Sequence, residues 1–165
     1  LEGCKEAGHQ TNVFDLYKMN FNPVISMEEV KEHKLPGDIM KIQEELLKGE
    51  VLVFIFPNWW SSMPAILKGF IDRVFTEGFA LKRTSSFPKG ILPFKKALII
   101  NTQAAPGFIN FIFTNYNKKV VKSRILKFSG VKKTSFVCFG GAADKVQKAK
   151  IEKFLHRIKN LAKKF

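Results

Sequence analysis

The chain has 165 residues, with 28 Lys or Arg against 14 Asp or Glu and a formal net charge of +14. That length suffices for one hydrophobic core, and a 45% hydrophobic content that includes 17 Phe excludes a disordered chain. The longest unbroken apolar run, residues 51–56, is far too short to cross a bilayer as a helix.

The opening LEGCKEAGHQ lacks the basic, apolar, small-residue order of a secretory leader, and Cys4 and Cys138 form no CxxC pair. A reducing cytoplasm is the expected location. Much of the positive excess lies near the end, in ADKVQKAKIEKFLHRIKNLAKKF, where Ile151, Phe154, Leu155, Ile158, Leu161, Ala162 and Phe165 recur at helical spacing. The lysines between them read as a solvated face. Without an Arg-rich tract or finger spacing, nucleic acid is not the expected partner.

LEGCKEAG reads as the last turns of a helix closed by Gly8. Residues 11–16, TNVFDL, read as a strand. A polar loop, YKMNFNPVIS, and a charged region follow; Asp38 then caps a helix in which Ile39, Ile42 and Leu46 share a face and Gly49 follows the end. VLVFIF comes next, and its lack of alternation predicts a strand covered on both faces, as in a parallel sheet. Pro64 suits the first turn of a helix through AILKGFIDRVF.

Residues 96–102, KALIINT, form a further buried strand. Residues 106–128 carry Ile109, Ile112, Tyr116 and Val120 at broadly helical spacing, and Gly130 stops them. Residues 131–139 return to a strand and the Lys-rich helix completes the series. Strands separated by helices predict one α/β domain, a doubly wound parallel sheet in three layers. Ligands bind such sheets outside the carboxyl ends of the strands. Residues 57–62 and 102–106 fall there.

Metal and nucleophile chemistry find little support. His9, His33 and His156 have no second ligand at i+3 or i+4 and read as surface residues, His9 at the exit of the first helix. There is no GxSxG elbow, Walker loop or GxGxxG fingerprint, Ser61 and Ser62 have no evident base, and Cys138 reads as core. What remains is an aromatic loop, PNWWSSMP, and a small polar one, NTQAAPG. Two readings stay open. The loops hold a flat conjugated ring by aromatic contact and main-chain N–H groups, or Trp59 and Trp60 plug the top of the sheet.

FPNWWSSMPAILKGFIDRVFTEGFAL, with DLYKMNFNPVIS upstream and KFSGVKKTSFVCFG downstream, resembles the NAD(P)H:quinone oxidoreductase family of flavoproteins. The resemblance covers most of residues 5–165. It implies a flavodoxin-like fold with five parallel strands, a homodimer, bound FAD or FMN, and NAD(P)H as co-substrate. The implied activity is hydride transfer through the flavin to quinones or similar aromatic acceptors. Matched position by position, Asn58, Trp59, Trp60 and Ser61 would lie against the flavin, Trp60 at the commonly aromatic position.

Thr102, Gln103, Ala104 and Ala105 match the second flavin loop, where the family often has TTGG; the two alanines add methyl groups at positions of close approach. Tyr116 matches a catalytic hydrogen-bond donor beside the ring. The family's first strand and its phosphate-binding loop at a helix N-terminus have no counterpart in the match, so the domain is expected to be N-terminally incomplete, with an unpaired edge where the middle strand would lie. The rival expectation is a flavodoxin-like binding or regulatory module without flavin.

Overall fold

The three most apolar stretches form the central sheet. In the computed structural model, which describes residues 1–32, 34–106, 118–142 and 146–165, β1 (Val51–Pro57), β4 (Lys96–Gln103) and β5 (Lys133–Gly140) make a parallel sheet in the order β1-β4-β5. The register runs from Val51 opposite Lys96 and from Lys96 opposite Lys133. Two-residue strands β2 (Leu81–Lys82) and β3 (Lys89–Gly90) form a separate antiparallel pair.

Helices cover both faces of the sheet. On one side α3 (Gly37–Leu47) and α4 (Ala65–Val74) bury Ile39, Ile42, Leu46, Leu67, Phe70 and Val74 against Leu52, Phe54 and Phe56 of β1 and Ala97 and Ile99 of β4. The π-helical α5 (Lys119–Lys127) adds Val121 and Leu126 to that core. On the other side Leu98, Ile100 and Val137 meet Phe154, Ile158, Leu161 and Phe165, carried by α6 (Lys148–Ala162) and the residues after it. This is a three-layer arrangement, but β1 departs from the expectation of a strand covered on both faces: Val53 and Ile55, on the α6 side, are exposed.

A short α1 (Glu2–Glu6) lies on α6, and Gly8, at φ 75°, ends it. Gly3 allows the close approach, since a Cβ there would meet the Lys159 carbonyl. Residues after Pro23 reach α4 through Gly69, where a Cβ would strike the Pro23 backbone. The α2 helix (Met27–Glu32) is tied to α4 by Arg73, whose Nε donates to Glu29 at 2.9 Å and whose guanidinium lies over Phe21. Both partners are buried. Burial works against the charged form of Glu29, yet hydrogen bonds from Arg73 and Ser26 hold its carboxyl below the ordinary range.

Several local expectations need correction. Residues 11–16 are not a strand: Phe14 and Leu16 pack on the core, but no described strand offers them a ladder. The described sheet therefore has three parallel strands rather than the four read from the sequence. Asp38 does not cap α3; Pro36 holds that position and Asp38 lies in the first turn, where its charge still complements the helix dipole. Pro64 precedes α4 as its N-cap, and β5 begins at Lys133 because residues 131–132 complete the turn after Gly130. His9 is half-buried rather than on the surface, and its Nε2 is enclosed without a partner.

Candidate functional site

The carboxyl ends of the three parallel strands are fastened to one another by a short chain of hydrogen bonds. Asn58 N–H donates to the Thr102 carbonyl at 2.6 Å, and Asn58 Nδ2 donates to Gln103 Oε1 at 3.2 Å. Gln103 Nε2 in turn donates to the Ala105 carbonyl at 3.3 Å. Gly141 N–H reaches the same Ala105 carbonyl and Ala142 N–H the Gln103 carbonyl, each at 2.8 Å. The two predicted loops and the end of β5 thus form one rim. Gln103 is buried and its amide takes part in this clasp.

Beyond Asn58 the chain reverses in a two-residue turn. Trp59 N–H donates to the Ser62 carbonyl at 3.0 Å and Ser62 N–H returns to the Trp59 carbonyl at 2.9 Å. The central residues, Trp60 at φ 51° and Ser61 at φ 59°, both occupy the left-handed region, the geometry of a type I′ turn usually made by Asn and Gly. Positive φ in non-glycine residues is strained and concentrates at functional sites. The turn lifts the Trp60 side chain to 100% exposure and leaves Trp59 at 55%. Neither indole plugs the sheet.

The turn also frees donors. Among the described residues, the N–H groups of Trp60, Ser61, Ala104 and Ala105 donate to no main-chain group. Unused main-chain donors beside an exposed aromatic ring suit a flat conjugated ligand with carbonyl acceptors, and a flavin ring has that chemistry. These residues therefore fit the group that the resemblance implies. Replacement of the family's glycines by Ala104 and Ala105 has not closed the loop, since Ala104 is exposed and neither alanine has positive φ.

Asn58, Thr102, Gln103 and Ala105 are brought together, with Trp59, Trp60, Ser61 and Ala104 on the loops they anchor. Tyr116 and His33 lie outside the described residues. Sequence reasoning missed Gly141 and Ala142, whose signal was the Gly-Gly step after FVCF, and Asn101, which is fully buried with neither Oδ1 nor Nδ2 hydrogen-bonded. Cys138, opposite Asn101 on β5, is half-buried. A separate cavity of about 390 Å³, lined by Met40, Gln43, Leu47 and Phe79 among others, includes no residue of the rim. Among the described residues, no group of three His, Cys, Asp or Glu side chains could hold a metal, and no helix is long and apolar enough to cross a membrane.

Residues 1–162 match the family model described as "Flavodoxin-like fold". Over 151 residues the chain is 32% identical to a Haemophilus influenzae protein named as an uncharacterised NAD(P)H oxidoreductase, covering 86% of this chain and 75% of that one. It is 33% identical to NAD(P)H dehydrogenase [quinone] 1 of Rattus norvegicus over 127 residues, 65% of this chain but only 46% of the rat protein. A solved NAD(P)H:quinone oxidoreductase from Methanothermobacter marburgensis superimposes with a TM-score of 0.91 at 30% identity, over 98% of this chain and 85% of that one. With the parallel sheet, the rim at its carboxyl ends and these matches in agreement, the chain belongs to the flavodoxin-like NAD(P)H oxidoreductases of the quinone-reductase type.

Proposed function

We propose that the protein works as a flavin-dependent NAD(P)H oxidoreductase that reduces quinones or related flat aromatic acceptors, with FAD or FMN as its cofactor. The observation that carries this reading is the strained turn of Trp60 and Ser61, which leaves main-chain donors and a fully exposed indole at the carboxyl end of the sheet. Bound flavin supplies the chemistry, a relay of hydride from nicotinamide to acceptor. The chain supplies position and charge.

Asn58, Trp59, Trp60 and Ser61 from one loop and Thr102, Gln103, Ala104 and Ala105 from the other would hold the ring. Trp60 presents an apolar plane to a flat partner, and Asn58, fastened to Thr102 and Gln103, fixes that plane relative to the second loop. The unused main-chain N–H groups of the two loops would favour the form of a bound ring that gathers negative charge. A net charge of +14 raises the local concentration of anionic dinucleotides. Tyr116 would act as the proton-holding group beside the ring. The expected assembly is a homodimer in the cytoplasm.

Titration of the purified chain with FAD and with FMN, followed by quenching of flavin fluorescence, tests the reading directly. Saturable binding, weakened by Trp60→Ala, together with quinone-dependent oxidation of NAD(P)H, is the expected result. A chain that takes up neither flavin overturns it and leaves the non-catalytic binding module as the function.

A further inference from the structure

Asn101 and Cys138 are partners in register across the β4–β5 ladder. Such partners put their side chains on the same face of a sheet, and the residues around them settle which face it is. Ile99 and Phe136, each two positions earlier, pack in the core under α3, α4 and α5, whereas Ile100 and Val137 turn to α6. The Asn101 amide and the Cys138 thiol therefore enter the α3-bearing layer side by side.

Asn101 is fully buried, and neither its Nδ2 nor its Oδ1 has a hydrogen-bond partner. Its neighbours on that face are apolar or engaged: Phe56 opposite on β1, Ile99 before it, and Gln103, whose amide takes part in the rim clasp. A buried amide left in this state is costly, and thiol sulfur is only a weak acceptor for it. An oxygen bonded to Cys138 Sγ would carry a strong acceptor into the layer where Nδ2 lies unbonded. Cys138 is half-buried and in no disulfide, so a small oxidant has access to the sulfur.

We propose that Cys138 is a site of reversible oxidation by hydroperoxides, its sulfenic acid held by the buried Asn101 amide. The thiolate sulfur attacks one oxygen of the peroxide; the S–O bond forms as the O–O bond breaks, and the departing hydroxide takes up the proton the thiol released. The sulfur gives the two electrons that reduce the peroxide. Asn101 Nδ2 donates to the oxygen gained by the sulfur, and the same donor favours the charge that gathers on oxygen during the attack. A small thiol reverses the step through a mixed disulfide. Asn101 and Cys138 stand two positions before Gln103 and Gly140, so the new hydrogen bond joins β4 to β5 directly beneath the rim.

Treatment of the reduced 165-residue chain with hydrogen peroxide, with sulfenic acid trapped by dimedone and each cysteine quantified by peptide mass spectrometry, tests this. No flavin or NAD(P)H is added, so the result stands apart from the proposed oxidoreductase activity. Cys4, also half-buried, is the internal comparator and needs no variant. Cys138 is expected to form the adduct about tenfold faster than Cys4, and, with dimedone omitted, to return to the thiol in dithiothreitol. Asn101→Leu, its folding checked by urea unfolding, is expected to slow peroxide oxidation of Cys138 by about tenfold, equivalent to about 1.4 kcal/mol. Alkylation by iodoacetamide, which puts carbon rather than oxygen on the sulfur, is expected to keep its rate in that variant. Equal peroxide rates at the two cysteines overturn the proposal, as does a Cys138 product that dithiothreitol does not reduce. An Asn101→Leu variant with an unchanged peroxide rate overturns it too, and one slowed equally toward both reagents does so because it reports access alone.

Discussion

Replacing Ser61 with Gly separates the strain of the aromatic turn from the chemistry of its indoles. Ser61 sits at φ 59°, where an L-residue is disfavoured by about 1–2 kcal/mol, while glycine enters that region freely at an entropic cost of about 0.5–1 kcal/mol. The net expectation is a gain of about 0.5–1 kcal/mol. With a urea slope of about 2 kcal/mol per molar, the unfolding midpoint should rise by about 0.3–0.5 M. Ser62→Gly is the control: Ser62 has ordinary φ, so glycine there should lower stability by about 0.5–1 kcal/mol. Trp60 is retained in both variants. An unchanged or lowered midpoint for Ser61→Gly, with Ser62→Gly behaving as expected, would refute the argument that the turn stores strain.

Four further substitutions probe the frame around the rim. Asn101→Leu removes a buried amide that has no partner and should stabilise the fold by about 1–3 kcal/mol, read by urea unfolding. Arg73→Ala leaves the Glu29 carboxylate buried and unpaired and should cost about 3–5 kcal/mol. Because the Glu29 pKa is lowered on folding, the stability it contributes is present above the unfolded carboxylate value and lost as pH falls through the folded one; Glu29→Gln should flatten that acid limb of the stability profile. Glu6, held down to about 2 by Lys159 and Lys163, predicts that amide protection in α1 declines between pH of about 4.5 and about 2 and that added salt weakens it throughout. Gln103→Leu breaks the clasp to Asn58 and should weaken flavin binding while Trp60 and its neighbours are unchanged, checked by the same fluorescence titration.

The sheet was legible because β1 and β4 carry apolar runs, although only β4 is buried on both faces, and α3 and α4 because Ile39, Ile42 and Leu46, or Leu67, Phe70 and Val74, recur at helical spacing. Residues 11–16 misled for a related reason: VFDL carries strand-like side chains, but a strand exists only with a ladder partner, which propensity does not encode. The location of the rim followed from a rule about parallel sheets. Its internal geometry did not. Nothing in WWSS announces a type I′ turn, whose usual signal is Asn-Gly, and the Asn58–Gln103 contact joins residues 45 positions apart whose only sequence signature is that each lies at the carboxyl end of a strand.

The open edge and the rim share β1, and that sharing has a thermodynamic consequence. Trp59 through Ser62 are held by Asn58, and Asn58 is held by the carboxyl ends of β1 and β4, so any local opening of β1 from its free edge releases the turn as well. Such opening draws on few hydrogen bonds, because the outer groups of Val51, Val53 and Ile55 have none to lose among the described residues. A ligand that binds the rim only in the closed molecule would lower the population of open molecules, so the amides of Leu52, Phe54 and Phe56, bonded to β4, should exchange more slowly at saturating flavin, and unchanged rates would show that β1 does not transmit closure between its end and its edge.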